Sequence, residues 1–140
     1  MIRKTVFYIM LIVAMLYVLA CGGPDKPEEI TLTDELPAEV QEWIDAAIDN
    51  FGGQTFMHED ILYLLVTYGE KPTGGYEVEI TDITEEEGKL IVTAYFSEPG
   101  EDEMVSQALT YPYDLAMLDN PDLPAEFVAE GAETEIPVIE

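Results

Sequence analysis

The fold is decided by Ile61-Leu62-Tyr63-Leu64-Leu65-Val66-Thr67-Tyr68, a continuous apolar run with acidic residues before it and Gly69-Glu70 after it. Its length is typical of a strand and short for a helix, and its β-branched and aromatic residues favour extended backbone. We therefore predict a central strand at residues 61–68, with the other elements arranged around it.

Two strands are predicted downstream from alternating polarity. In residues 76–80, Tyr76, Val78 and Ile80 fall on one face and two glutamates on the other, and residues 90–96 alternate in the same way. The sequence Glu-Glu-Glu-Gly at residues 85–88 supplies a turn between them, so this pair is predicted as a β-hairpin.

Upstream of the central strand, the apolar spacing is helical from about Leu36 to Asn50. Pro37 favours the start of this helix and Gly52-Gly53 favours its end. A short strand is predicted at residues 55–58. We expect the apolar stripe of the helix to pack on a sheet, and a partner-binding helix is the alternative. The stripe consists of Val40, Trp43, Ile44, Ala47, Ile48 and Phe51.

The C-terminal part predicts a last strand region at residues 108–118, where Pro112 indicates an edge strand or a bulge. Phe127 and Val128 are compatible with a short edge strand, and the last ten residues are expected to fray. The predicted fold class is α+β. One N-terminal amphipathic helix packs on a mainly antiparallel β-sheet, or on a small β-sandwich, of about five or six strands.

The N-terminus has the order of a secretory signal: Arg3 and Lys4, an apolar run over residues 6–20, and then Cys21, the only cysteine of the chain. We predict a lipoprotein signal peptide at residues 1–20 and lipidation of Cys21, which anchors the chain outside the cytoplasm. An uncleaved transmembrane anchor is the alternative. The predicted organisation continues with an acidic tether at residues 21–33, one domain at 34–130 and an acidic tail at 131–140.

The chain is strongly acidic, with 30 Asp and Glu against 5 Lys and Arg and a net charge of −25. After cleavage before Cys21, three lysines remain against 30 acidic residues, so the net charge becomes −27. Such a field repels nucleic acid and anionic lipid, and a polyanion-binding function is excluded. An acidic surface suited to high salt is favoured over a weak calcium-binding surface, since the acidic residues are spread along the chain.

Catalytic residue patterns are weak. The chain has a single histidine, His58, and no serine in the sequence context of a nucleophile elbow. It also has too few His and Cys residues for a zinc site. Residues 98–103 form an acidic turn that lacks the spacing of a calcium loop. We therefore expect neither enzymatic activity nor a cofactor nor a bound metal.

Two motifs remain: Lys71-Pro72-Thr73-Gly74-Gly75-Tyr76 and Gln107-Ala108-Leu109-Thr110-Tyr111-Pro112-Tyr113. With the strands and the Pro-Gly turn between them, residues 65–118 resemble the C-terminal domain of the protease complex subunit PrcB family, which includes bacterial lipoproteins. The resemblance implies association with other proteins rather than catalysis. An extracytoplasmic protease is the partner that it suggests.

The candidate partner-binding residues lie in these two motifs. Pro72 fixes one backbone angle and the two glycines permit positive φ, so the loop is expected to be tight. For the loop, the alternative is an ordinary hairpin turn. For Tyr111-Pro112-Tyr113, the alternative is the aromatic core of an edge strand, and we expect one of the two tyrosines to point inward. The candidates are Lys71, Pro72, Thr73, Gly74, Gly75, Tyr76, Gln107, Tyr111, Pro112 and Tyr113.

The sequence thus favours a lipid-anchored extracytoplasmic protein-binding module, an accessory subunit of a secreted or surface protease complex. One alternative is a protease inhibitor, because the loop at residues 71–76 is distantly similar to a loop of chagasin-type inhibitors. The other inhibitory motifs of that family are missing. A structural envelope lipoprotein without a dedicated partner is the third hypothesis.

Overall fold

The computed structural model describes residues 35–119, 121–130 and 135–139. The predicted signal peptide, Cys21 and the tether lie outside the described residues. The elements, in chain order, are helix α1 (Ala38–Ala47) and strands β1 (Phe51–His58), β2 (Ile61–Tyr68), β3 (Glu77–Glu86), β4 (Lys89–Ser97), β5 (Tyr113–Asp119) and β6 (Ala125–Ala129).

The strands form two three-stranded sheets. One has the order β1-β2-β5 with both pairs antiparallel, and the other has the order β3-β4-β6, in which β4 and β6 run parallel. An α+β fold with mainly antiparallel sheets is therefore confirmed, and the two-sheet alternative is the one observed. β2 is the central strand of its sheet, as predicted.

The two faces of β2 enter two different apolar layers. Leu62, Leu64 and Val66 join the core between the sheets, whereas Tyr63 and Leu65 pack with the buried residues of α1 on the other side. A strand that is buried on both faces has no polar face, which explains why residues 61–68 show no alternation. The buried residues of α1 are Val40, Ile44 and Ala47.

The helix is shorter than predicted, and Phe51, Gly52 and Gly53 belong to β1 instead of its end. The reason is packing between the sheets: an ideal Cβ on Gly53 would lie 2.3 Å from Cγ of Phe127. The glycine thus makes room for an aromatic ring from β6. A helix-ending signal and a close-approach signal look the same in a single sequence.

The other strands follow the prediction with changed boundaries. β3 and β4 form the predicted hairpin, and its turn is Glu87-Gly88, where both residues have positive φ. β5 begins directly after Pro112 and lies at a sheet edge, and β6 supplies the predicted edge strand around Phe127.

Residues 135–139 differ from the predicted frayed tail. Ile136 is buried, and its N–H donates to the Phe127 carbonyl of β6 at 2.9 Å. Gly53 of β1 donates its N–H to the Pro137 carbonyl and accepts the N–H of Ile139, both at 2.9 Å. This segment therefore connects one edge of each sheet.

Candidate partner-binding surface

The loop at residues 71–76 connects the two sheets. It leaves β2 in the first sheet and enters β3 in the second, so the hairpin-turn interpretation of this loop is wrong. The loop lies between the strands of the two sheets, so its backbone groups need partners from outside both sheets.

Those partners come from the second motif. Lys71 and Thr110 exchange backbone hydrogen bonds, with N–O distances of 2.9 and 3.0 Å. Gly74 donates its N–H to the Ser106 carbonyl at 2.8 Å, and the Thr110 hydroxyl donates to the Thr73 carbonyl at 2.7 Å. The two motifs, separated by about thirty residues, are thus joined into one surface, which we call the crossover surface (residues 69–76 and 105–113).

Gly75 fixes how closely a third segment approaches. Its φ is +86°, and an ideal Cβ would lie 2.7 Å from both Pro99 Cβ and Val105 Cγ1. Any side chain here would be strained and would clash. Of the two motif glycines, Gly75 alone has a positive φ. The glycine therefore holds the acidic turn at residues 98–103 beside the crossover surface.

Lys71 is held by aromatic rings. Its Nζ lies 3.7 Å from the ring centroid of Tyr68 and 5.3 Å from that of Tyr76, both within cation–π distance. The rings continue into a cluster in which Tyr68 contacts Phe96 at 4.9 Å between centroids. Among the described residues, no carboxylate lies within 4.0 Å of Lys71 Nζ. The sequence motif indicates Lys71 but not the rings that contact it, since Tyr68 belongs to the central strand.

Two tyrosine hydroxyls, one from the crossover surface and one from the end of β2 beside it, bond to glutamates. The hydroxyl of Tyr111 donates to Glu70 Oε2 at 2.9 Å, and this hydrogen bond, with lesser effects of burial and negative charge, raises the pKa of Tyr111 above its ordinary value. Burial, followed by the charge of Glu98, raises the pKa of Tyr68, whose hydroxyl lies 3.4 Å from Glu98 Oε1. Both tyrosines therefore remain neutral donors over a wide pH range.

Apolar side chains extend outward from the same region. Tyr113 is 42% exposed and Leu109 is 58% exposed, while Met104 is fully exposed on the neighbouring loop. Gln107 is exposed as well, with Nε2 3.5 Å from the Val105 carbonyl, and Tyr111 is half-buried. Of the two predicted tyrosines, Tyr111 is therefore held by a hydrogen bond, whereas Tyr113 is exposed.

An open cleft of about 500 Å³ lies beside the crossover surface. One wall is the start of β3 with the preceding Tyr76, and the other is Pro112 with the start of β5. Both walls are edge strands of their sheets. This cleft has no signal in the sequence, because it depends on how the two sheets are placed.

Catalytic and metal-binding groups are sparse in the part of the chain that the structure describes. There, no three His, Cys, Asp or Glu side chains are grouped so as to hold a metal ion. His58 Nδ1 lies 3.0 Å from Glu39 Oε2 of α1, remote from either motif in the sequence. Over the same residues, every helix is too short or too polar to cross a membrane.

Residues 62–119 match the family model described as PrcB C-terminal. The resemblance predicted for residues 65–118 is thereby confirmed. The match runs from β2 to the end of β5 and includes both halves of the crossover surface, whereas α1, β1 and β6 lie outside it. No curated protein and no solved structure matches the chain.

Proposed function

We propose that this chain is a lipid-anchored, extracytoplasmic protein-binding module, an accessory subunit that associates with a secreted or surface protease complex. The observation that carries the proposal is the union of the two PrcB C-terminal motifs in one surface through the bonds between Lys71 and Thr110. The PrcB C-terminal family is of an accessory type and is not a known catalytic family.

The exposed apolar residues support a binding role. Tyr113 and Leu109 stand on a surface whose backbone is fixed by hydrogen bonds, and rigid aromatic anchors lose little entropy on binding. The inhibitor hypothesis has less support, because the chain lacks the other inhibitory motifs of chagasin-type proteins.

Membrane anchoring is the second part of the proposal. It rests on the order of charges, apolar residues and Cys21 at the N-terminus. Two acyl chains or more on Cys21 would hold the acidic domain at the membrane despite its charge, because each buried methylene contributes about 0.8 kcal/mol. A Cys21→Ser chain is expected to leave the membrane fraction or to remain unprocessed.

Capture from source-cell membranes tests the binding role. The full chain, with a C-terminal tag and chemical crosslinking, is compared with a Leu109→Ala/Tyr113→Ala variant. We expect the wild type to recover an extracytoplasmic protease or a subunit of its complex, identified by mass spectrometry, and the variant to lose most of it.

A second double variant, Met57→Ala/Tyr95→Ala, is the matched control. Met57 and Tyr95 are 45% and 50% exposed, and both lie outside the crossover surface. Equal loss of the partner in both variants would refute the assignment of this surface. Recovery of no protease-complex protein by any chain would refute the accessory role.

A further inference from the structure

The two sides of the sandwich are closed in different ways. On one side, residues 135–139 run between the edge strands β6 and β1 and bond to the backbone of both, through Phe127 and Gly53. An unpaired edge exposes N–H and C=O groups that are costly to leave without partners. The chain therefore supplies its own extended segment to that side.

On the opposite side the edge strands are β3 and β5, and there a single carboxylate accepts hydrogen bonds from the backbone of both. Asp114 Oδ2 accepts the N–H of Ile80 from β3 at 2.7 Å, and Asp114 Oδ1 accepts the N–H of Leu115 from β5 at 2.9 Å. One side chain thus satisfies a donor from each sheet and holds the two edges together at this level.

Next to Asp114 the two edge strands separate to form the cleft, and backbone N–H and C=O groups of both strands point toward it. Backbone groups of residues i and i+2 in a strand point to the same side. Because the Ile80 N–H points away from β4, the N–H and C=O of Val78 do so too. Pro112 directs its carbonyl to Tyr68 of β2, so the groups of Tyr113 point away from β2. Among the described residues, these outward groups of Val78 and Tyr113 have no hydrogen-bond partner.

The side chains around these groups set the chemistry of an occupant. Glu77 and Glu79 are exposed on the outer face of β3, and Val78 between them packs toward the core. A strand added beside β3 would place alternate side chains next to the two glutamates and the others next to Val78 and Pro112. The whole chain adds a net charge of −25. Such surroundings favour Lys or Arg at every second position and repel a second copy of this chain.

We propose that this cleft binds a short extended segment of a protein partner, with Lys or Arg alternating with small apolar residues, by strand addition at the Val78 edge. The inference rests on the proposed function, because it names the surface and the chemistry of the partner of that binding module. On this side, the partner would supply the extended segment that residues 135–139 supply on the other.

Peptide binding to the full chain in neutral detergent micelles tests the proposal. The probe is acetyl-Lys-Val-Lys-Val-Lys-Val-amide, followed by calorimetry and by the amide shifts of the ¹⁵N-labelled chain. We expect the largest shifts at Val78 and Tyr113. A peptide of the same composition in the order Lys-Lys-Lys-Val-Val-Val, and the alternating peptide with N-methylated central residues, should bind at least about tenfold more weakly.

A charge-reversal pair supplies the matched control in the protein. Glu77→Lys/Glu79→Lys should weaken the alternating peptide by about tenfold or more, whereas Glu85→Lys/Glu86→Lys should change its affinity by less than about threefold. All four glutamates are exposed on β3, and both variants change the net charge equally. If both variants bind the alternating peptide equally weakly, or if the two peptides bind with equal affinity, the peptide is attracted by the net negative charge of the whole chain. Either result would overturn the strand-addition site.

The two proposals fail separately. If the membrane capture recovers the same protease-complex protein with Glu77→Lys/Glu79→Lys as with the wild type, the cleft is not the binding site and the inference is overturned while the accessory role stands. If no such protein is recovered but the alternating peptide binds as described, the cleft stands and the accessory role fails. Thermal unfolding of each variant checks that it is folded.

Discussion

Tyr111 and Glu70 form a side-chain pair whose effect can be measured as a pH dependence. The hydrogen bond to Glu70 raises the pKa of Tyr111 above 10.0, its ordinary value, so the folded state holds the phenolic proton more tightly than the unfolded state. The stability from this pair is fully present below the unfolded pKa and is lost as pH rises through the folded pKa.

In Glu70→Gln, we expect the pKa of Tyr111 to fall toward its ordinary value. The substitution removes the negative charge that disfavours the tyrosinate and weakens the acceptor. The pKa of Tyr111 is measured from the NMR chemical shifts of the tyrosine Cζ atoms in the labelled chain between about pH 8 and 12, because each tyrosine gives its own signal. Glu98→Gln is the control, because it faces Tyr68 instead. An unchanged Tyr111 titration in Glu70→Gln would contradict the pairing.

Residue-level prediction from the sequence reached the candidate side chains but not their contacts. The two motifs located Lys71 and Tyr111, which the structure brings onto one surface. The sequence gives no sign that Lys71 lies over Tyr68, or that Glu70 bonds to Tyr111, because these contacts join residues from different elements. Local patterns report periodicity and turn chemistry, and long-range pairing depends on the packing of whole strands.

Strands β1 and β6 come from different sheets, and their contact depends on the absence of one Cβ. Gly53→Ala would place a methyl group inside the contact distance of the Phe127 ring, which is fully buried and has little room to move. We expect the free energy of unfolding to fall by about 1–3 kcal/mol, the usual cost of overpacking a core. Urea unfolding followed by far-UV circular dichroism measures it.

Gly100→Ala is the matched control for this substitution. An added Cβ at Gly100 meets no atom closer than 3.9 Å, and its φ is outside the left-handed region, so a change within about 0.5 kcal/mol is expected. Phe127→Leu combined with Gly53→Ala should recover part of the loss through coupling of the two sites. Equal stability of Gly53→Ala and the wild type would show that the sheets do not approach here as described.

Element-level prediction succeeded where a pattern has one physical cause. The continuous apolar run became β2, and the alternating runs became the β3-β4 hairpin. It failed at Gly52-Gly53, where glycine serves close packing rather than ending the helix. The parallel pairing of β4 with β6 also had no signal in the sequence, since it depends on a connection whose length does not fix its direction.

At the scale of the whole molecule, the sheet order and the unequal sides of the sandwich follow from contacts between distant segments. Sequence patterning left a single sheet and a sandwich open, because both bury the same apolar faces. The structure has two sheets, and residues 135–139 close one side while β3 and β5 leave a cleft on the other. The candidate partner-binding surface is therefore a property of the assembled sheets.

The charge of the whole molecule leads to a prediction about salt. With a net charge of −25, mutual repulsion of carboxylates opposes the compact state, and salt screens it, since the Debye length falls from about 10 Å at 0.1 M to about 3 Å at 1 M. We expect NaCl from about 0.02 to 1 M to stabilise the fold by at least about 1 kcal/mol, which raises Tm by about 4–8 °C. CaCl2 at matched ionic strength should act similarly if screening dominates, whereas saturation at millimolar CaCl2 would indicate cation binding instead. A Tm unaltered between low and molar NaCl would refute the interpretation of the acidic surface as one suited to high salt.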